Sequence, residues 1–173
     1  MGRSVSRRAR DAIAVSAAAN LFHPQLRLMC EADLSQVLTV EHASYEFPWT
    51  PGIFHDCLRV GYKCYVYEGP SGLIGHGVMS VAAGECHILN VCVHPDWQRR
   101  GLGRQLVQFL LDVARQNGVQ TALLEVRASN TAAYHLYIDL GFNEVGVRQK
   151  YYPARDGRED AIILALELPD TLS

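Results

Sequence analysis

The chain lacks the marks of several protein classes. No run approaches the roughly twenty consecutive apolar residues that cross a bilayer, so no membrane-spanning helix and no membrane partner are expected. Its five cysteines, Cys30, Cys57, Cys64, Cys86 and Cys92, form no Cys-x-x-Cys pair, and most lie among apolar neighbours. They read as small buried side chains in a reducing, cytoplasmic setting. Seven histidines are scattered without metal-ligand spacing, so no metal site is expected. Neither sign of charge dominates: a formal net charge of -2 argues against a protein that coats nucleic acid or a membrane surface. Internal repeats and low-complexity tracts are also absent.

What is present is 173 residues, 49% of them apolar, enough for one domain with a real core. The opening segment, MGRSVSRRARDAIAVSAAANLF, is rich in Arg, Ser and Ala and has no acid before Asp11. Residues 1–24, with some likeness to an organelle-targeting segment, are read instead as a flexible extension or the product of a start codon placed too far upstream, and residues 25–169 as the folded domain.

From Leu26 the pattern reads as strand, then a helix carrying Leu34, Val37, Leu38 and Val40, with Asp33 as its N-cap. FPWTPG reads as a loop, and a short helix is expected from Ile53 to Leu58. CYVYEG and LIGHGVMSVA form a hairpin around Gly69-Pro70-Ser71-Gly72, and CHILNVCVH is a third strand ending at Pro95. Leu102, Leu106, Phe109, Leu110, Val113 and Ala114 recur at helical spacing up to the stop at Asn117-Gly118. The strand TALLEV follows, then a helix over 131–140 capped by Ser129 or Asn130, then the strands FNEVGVRQKYY and EDAIILALEL. Strands first in series and later alternating with helices predict an α/β chain with a mixed sheet and helices on its faces.

The segment VHPDWQRRGLGR places bare backbone and clustered positive charge at a strand-to-helix corner. A helix start leaves about four amides without intrahelical partners and carries partial positive charge. Glycine lets a phosphate approach those amides, and arginines add charged hydrogen bonds. Arg99, Arg100, Gly101, Leu102, Gly103 and Arg104 therefore make a candidate pyrophosphate cradle. A P-loop is excluded because Arg104 and Gln105 follow Gly103, and the dinucleotide fingerprint fails at Leu106.

Gln98-Arg99-Arg100-Gly101-Leu102-Gly103 fits the Gln/Arg-x-x-Gly-x-Gly/Ala segment of the GNAT family of acetyl-coenzyme A dependent N-acetyltransferases, and LEVRASNTAAYHLYIDLGF resembles its second signature, ending in Leu-Tyr-x-x-x-Gly-Phe. EFPWTP and YYPARDGREDAIILAL further resemble the branch that acetylates the N-terminal alanine of a small-subunit ribosomal protein. The resemblance implies the GNAT fold, a mixed, mostly antiparallel sheet flanked by helices. It implies acetyl-CoA as co-substrate, the N-terminal peptide of a ribosomal protein as partner, and no direct contact with nucleic acid. The main chain of Val91, Cys92 and Val93 would pair with the pantetheine arm, an amide there would polarise the thioester carbonyl, and Asn130 would contact the cofactor. Glu125, an acid between Leu124 and Val126, would be the general base through water, with a salt bridge to Arg127 or Arg148 as its structural alternative. Family spacing selects Tyr137 over Tyr134 as the general acid. Phe47, Trp49, Tyr151 and Tyr152 would wall a peptide slot, and Glu46, Asp156, Glu159 and Asp160 could attract a basic tail.

Cys92 invites a covalent route, but only His94 lies near it in sequence to activate it, so direct transfer in a ternary complex is preferred. An α-amine with pKa about 8 is roughly a tenth neutral at pH 7, far more than a lysine with pKa about 10.4, which favours α-amines. Acetylation of lysine, a polyamine or an aminoglycoside, and a non-catalytic acyl-CoA sensor, remain as alternatives.

Overall fold

The computed structural model describes residues 24–169; the predicted extension lies outside the described residues apart from Pro24. Seven strands form one sheet: β1 (Gln25–Leu28), β2 (Lys63–Gly69), β3 (Gly72–Ala82), β4 (Glu85–Val93), β5 (Thr121–Arg127), β6 (Asn143–Ala154) and β7 (Gly157–Glu167), in the order β1-β2-β3-β4-β5-β7-β6. Every neighbouring pair is antiparallel except β4 and β5. Among the described residues four α-helices flank it: α1 (Leu34–Ser44), α2 (Pro51–Arg59), α3 (Leu102–Gln116) and α4 (Thr131–Asp139).

Alternation in the strands sends their two sets of side chains to two cores. On one face Leu34, Val37, Phe54 and Cys57 of α1 and α2 meet Cys64, Val66 and Val78. On the other, the stripe Leu102, Leu106, Leu110 and Ala114 of α3 meets Met79, Cys86, Ile88, Ala122 and Leu124, with Tyr137 of α4 in the same cluster. The expected hairpin, mixed sheet and order of helices are all present.

Two local expectations change. Asp33 stands just before α1 without capping it: its carboxylate turns back to accept the Cys30 N–H at 2.9 Å and the two Arg27 Nη groups at 2.8 Å. The Arg27 guanidinium beside it holds the Asp33 carboxyl well below the usual range. Further on, α2 begins at Pro51, two residues before the expected Ile53, because proline is preorganised for the first helical position and the amide it lacks has no intrahelical partner there.

Candidate active site

The parallel pairing of β4 with β5 runs only from Glu85↔Thr121 to Ile88↔Leu124. β4 continues to Val93 on its β3 side, where a register shift falls between Val78 and Met79, while β5 continues to Arg127 against β7. Past Ile88 the two strands diverge. The wedge between Leu89–Val93 and Glu125–Arg127 opens into a cavity of about 160 Å³ lined by Val91, Glu125, Asn130, Tyr137, Phe47 and Trp49 among others. At about 30 Å³ per water, that is room for a few waters or one small acyl group. A second cavity, about 440 Å³, is lined by Trp49, Leu89, Glu125, Arg148, Tyr151 and Tyr152. Trp49, Ile88, Leu89, Leu124, Glu125 and Tyr152 line both, so Glu125 belongs to the wall that the two chambers share.

The expected site residues fall into groups. Phe47, Trp49, Tyr151 and Tyr152 all line one or both chambers, and the Tyr152 hydroxyl donates to the Glu125 carbonyl at 3.2 Å. Burial, then the Glu125 charge, pushes the Tyr152 phenol up to about 12. Tyr137 is buried in the first chamber, and burial pushes its phenol up to about 12 as well. Tyr134 is occupied elsewhere, with its hydroxyl 3.4 Å from a Glu144 carboxylate oxygen. Asn130, and not Ser129, caps α4, its side chain accepting the Ala133 N–H. Glu125 has the ion partner foreseen as its structural alternative: Arg148 Nε lies 2.5 Å from Glu125 Oε1, while Arg127 pairs with Glu159.

The β4 segment supplies backbone to the wedge. The Val91 carbonyl accepts the Tyr45 hydroxyl at 2.5 Å, and the Val93 carbonyl accepts the Gln98 carboxamide at 2.8 Å. Cys92 turns to the α1 face, its Sγ 3.8 Å from the Val40 carbonyl. Burial pushes its thiol up to about 12, and His94 instead accepts the Asp96 N–H. Cys92 is therefore a protonated core thiol.

At the corner after β4, Gly101 adopts φ +78 as the N-cap of α3 and no side chain caps the helix, so the first-turn amides stay open. A Cβ on Gly101 would meet nothing, but its backbone conformation disfavours one; a Cβ on Gly103 would meet only Leu136, at an ordinary 3.7 Å. Internal packing thus gives no reason for glycine at 103, whereas close approach of a ligand to the amides does. The arginines differ: Arg104 pairs with Asp139 at 3.2 Å, and Arg100 lies over the Trp97 ring and donates to the Asp96 carbonyl. Arg99, at φ +58, has no ion pair among the described residues.

Three of the four acids expected to attract a basic tail are engaged within the chain. Glu46 pairs with Arg155, Glu159 with Arg127, and Asp160 accepts the Lys150 N–H.

Sequence reasoning missed a buried polar cluster beside the first chamber. The Glu41 carboxylate, 1% exposed, accepts the Trp49 N–H at 2.9 Å and the Asn90 carboxamide at 3.2 Å, and lies 2.9 Å from His76 Nε2. Its signal was present: Glu41 follows Val37 by one turn on the apolar face of α1, where an acid requires partners. Glu41, His76 and Cys92 have metal-ligating atoms within 4.8 Å of one another. The carboxylate's existing partners and the protonated thiol account for that grouping without an ion.

Comparison with known proteins agrees with this geometry. Residues 28–142 match the acetyltransferase (GNAT) family. The chain is 41% identical over 136 residues, 79% of this chain and 92% of the relative, to the ribosomal protein bS18-alanine N-acetyltransferase of Escherichia coli K12. The crystal structure of the ribosomal-protein-S18-alanine N-acetyltransferase from E. coli superposes with a TM-score of 0.80 at 37% identity, covering 87% of this chain and 99% of that one. A Bacillus subtilis acetyltransferase solved in complex with CoA shares the fold at 19% identity, with a TM-score of 0.71 over 85% of this chain and 100% of that one. By its signature segments, its divergent β4 and β5 and its similarity to these proteins, the chain belongs to the GNAT family of acetyltransferases.

Proposed function

We propose that this protein transfers the acetyl group of acetyl-CoA to the α-amine of an N-terminal alanine on ribosomal protein bS18, by direct transfer in a ternary complex, in the cytoplasm, with residues 25–169 as the catalytic domain. The observation that carries this reading is that Glu125 lines both chambers, the one at the β4–β5 wedge and the one walled by Tyr151 and Tyr152, so that coenzyme and amine could each reach it. The bS18 assignment draws on the E. coli relative, together with the aromatic wall of Trp49, Tyr151 and Tyr152.

The uncapped start of α3, with Gly101, Leu102, Gly103 and Arg99, Arg100 and Arg104 around it, fits a pyrophosphate. The stretch of β4 from Val91 to Val93 that β5 leaves unpaired fits the pantetheine arm, with Asn130 beside it. Glu125 takes a proton from the incoming ammonium through water, freeing the nitrogen lone pair to attack the thioester carbonyl carbon. A β4 amide stabilises the oxyanion while the C–N bond forms. On collapse the C–S bond breaks, the electron pair goes to sulfur, and Tyr137 gives its proton to the departing thiolate. Burial lifts the Tyr137 phenol to about 12, which keeps its proton in place until the thiolate forms.

Peptides beginning with Ala, Ser or Met, and one carrying an internal lysine behind a blocked N-terminus, are offered with acetyl-CoA and the products mapped by mass. The proposal requires acetyl on the alanyl α-amine; acetylation at lysine alone overturns it.

A further inference from the structure

The Arg148–Glu125 contact places a cation of the protein where the substrate's own cation must arrive. Arg148 is on β6, paired with Ala161, and its side chain reaches past β7 to Glu125 on β5, which is paired with Ile163. Both charged groups and Ile163 line the second chamber. The guanidinium side chain is 57% exposed and the carboxylate 24%, so the pair lies at a wet mouth and can exchange partners. The Tyr151 ring lies 5.6 Å from the guanidinium carbon, an aromatic contact that Arg148 makes alongside its pair with Glu125.

We propose that Arg148 is a specificity-determining residue, a resident counter-ion of Glu125 that an incoming ammonium displaces and that returns when the nitrogen becomes a neutral amide. The role rests on the amine-transfer reading. It follows from charge balance: a ligand carrying its own cation replaces the ion pair it breaks, whereas a neutral head leaves Arg148 in place. The competition weakens ground-state grip on the ammonium without touching an interaction made in the transition state, so binding energy is not wasted before chemistry. It also gives the acetylated product no hold on Glu125.

The test measures calorimetric binding, with coenzyme A present, of an alanyl peptide, its desamino analogue and its N-acetyl product to wild type, Arg148→Gln and Arg148→Lys. In Arg148→Gln the alanyl peptide is expected to bind about two- to fivefold tighter, the size of a half-exposed ion pair. The two neutral-headed peptides and coenzyme A keep their affinity, and Arg148→Lys stays near wild type. Unchanged or weaker binding of the alanyl peptide overturns the proposal, as does an equal gain by the neutral peptides, which marks general charge or steric effects. The mass-mapped products of the wild type separate this failure from that of the function itself. If another amine is the substrate, that amine and its desamino analogue replace the peptides and the same outcomes decide.

Discussion

At the residue scale, Tyr137 and Glu125 ask different things of their surroundings. As the proposed general acid, Tyr137 would have to keep its proton until sulfur leaves, and burial favours this by disfavouring the phenolate. Its pKa is raised from about 10 to about 12, so the acid remains protonated throughout the neutral and mildly alkaline range. The limiting rate should therefore show no descending limb between pH 8 and 10; a fall with its midpoint near 10 would mark a solvated phenol. Tyr137→Phe should lower kcat by about 100-fold or more while coenzyme A binding, read by calorimetry, stays near wild type. The placement of Glu125 and Tyr137, the proposed base and acid, on β5 and α4 was legible because the family signature counts residues along that strand and helix. The partner of Glu125 was not, since Arg127 and Arg148 were equally available along the chain and only strand order placed Arg148 against it.

At the scale of elements, the entry to α3 separates the needs of the fold from those of a ligand. Gly101 answers a backbone need at φ +78, whereas Gly103 has space for a Cβ and helical geometry around it. Gly103→Ala should leave the melting temperature unchanged or raise it slightly, since alanine is the better helix former by about 1 kcal/mol. The same change should weaken coenzyme A by at least about tenfold in a calorimetric titration. Equal affinity would remove the first-turn amides from the cradle. The edge strand β1 makes the opposite case, where the need is entirely structural. Its Arg27 holds the nearly buried Asp33 at the start of α1, and Arg27→Ala should cost about 1–2 kcal/mol in urea unfolding, the guanidinium being part-exposed. The sequence marked Asp33 as a helix-start residue but gave no sign that β1 supplied its partner.

At the scale of the whole molecule, Glu41 ties four elements together: the α1 helix that bears it, β3 and β4 through His76 and Asn90, and the loop before α2 through the Trp49 amide. Glu41→Ala leaves the completely buried His76 and the Trp49 N–H without their acceptor and should cost about 3–5 kcal/mol, or roughly 10 °C in melting temperature for a chain of this size. A loss below 1 kcal/mol would show the cluster to be incidental. The core thiols set an alkaline limit on stability. Burial raises Cys64 and Cys86 to about 11 and Cys92 to about 12, above the ordinary value of 9.0. Groups raised in the folded state stabilise it fully below their unfolded pKa and lose that contribution as pH passes through the folded one. Melting temperature should accordingly decline from about pH 9 towards pH 12. At pH 8 a thiol reagent should modify exposed Cys30 and spare the four buried cysteines.

The sequence by itself determined which segments are strands and which are helices, the glycine-opened helix with its arginines, and the carboxylate and phenol set at family spacing. Those features are local, governed by period, turn chemistry and short intervals along one segment. The tertiary structure alone decided that β4 and β5 part after Ile88↔Leu124, that Arg148 reaches Glu125 past β7, and that Glu41 finds three partners under α1. Each joins residues distant in sequence, and a pairing of that kind is set by strand order and register, which no single segment encodes.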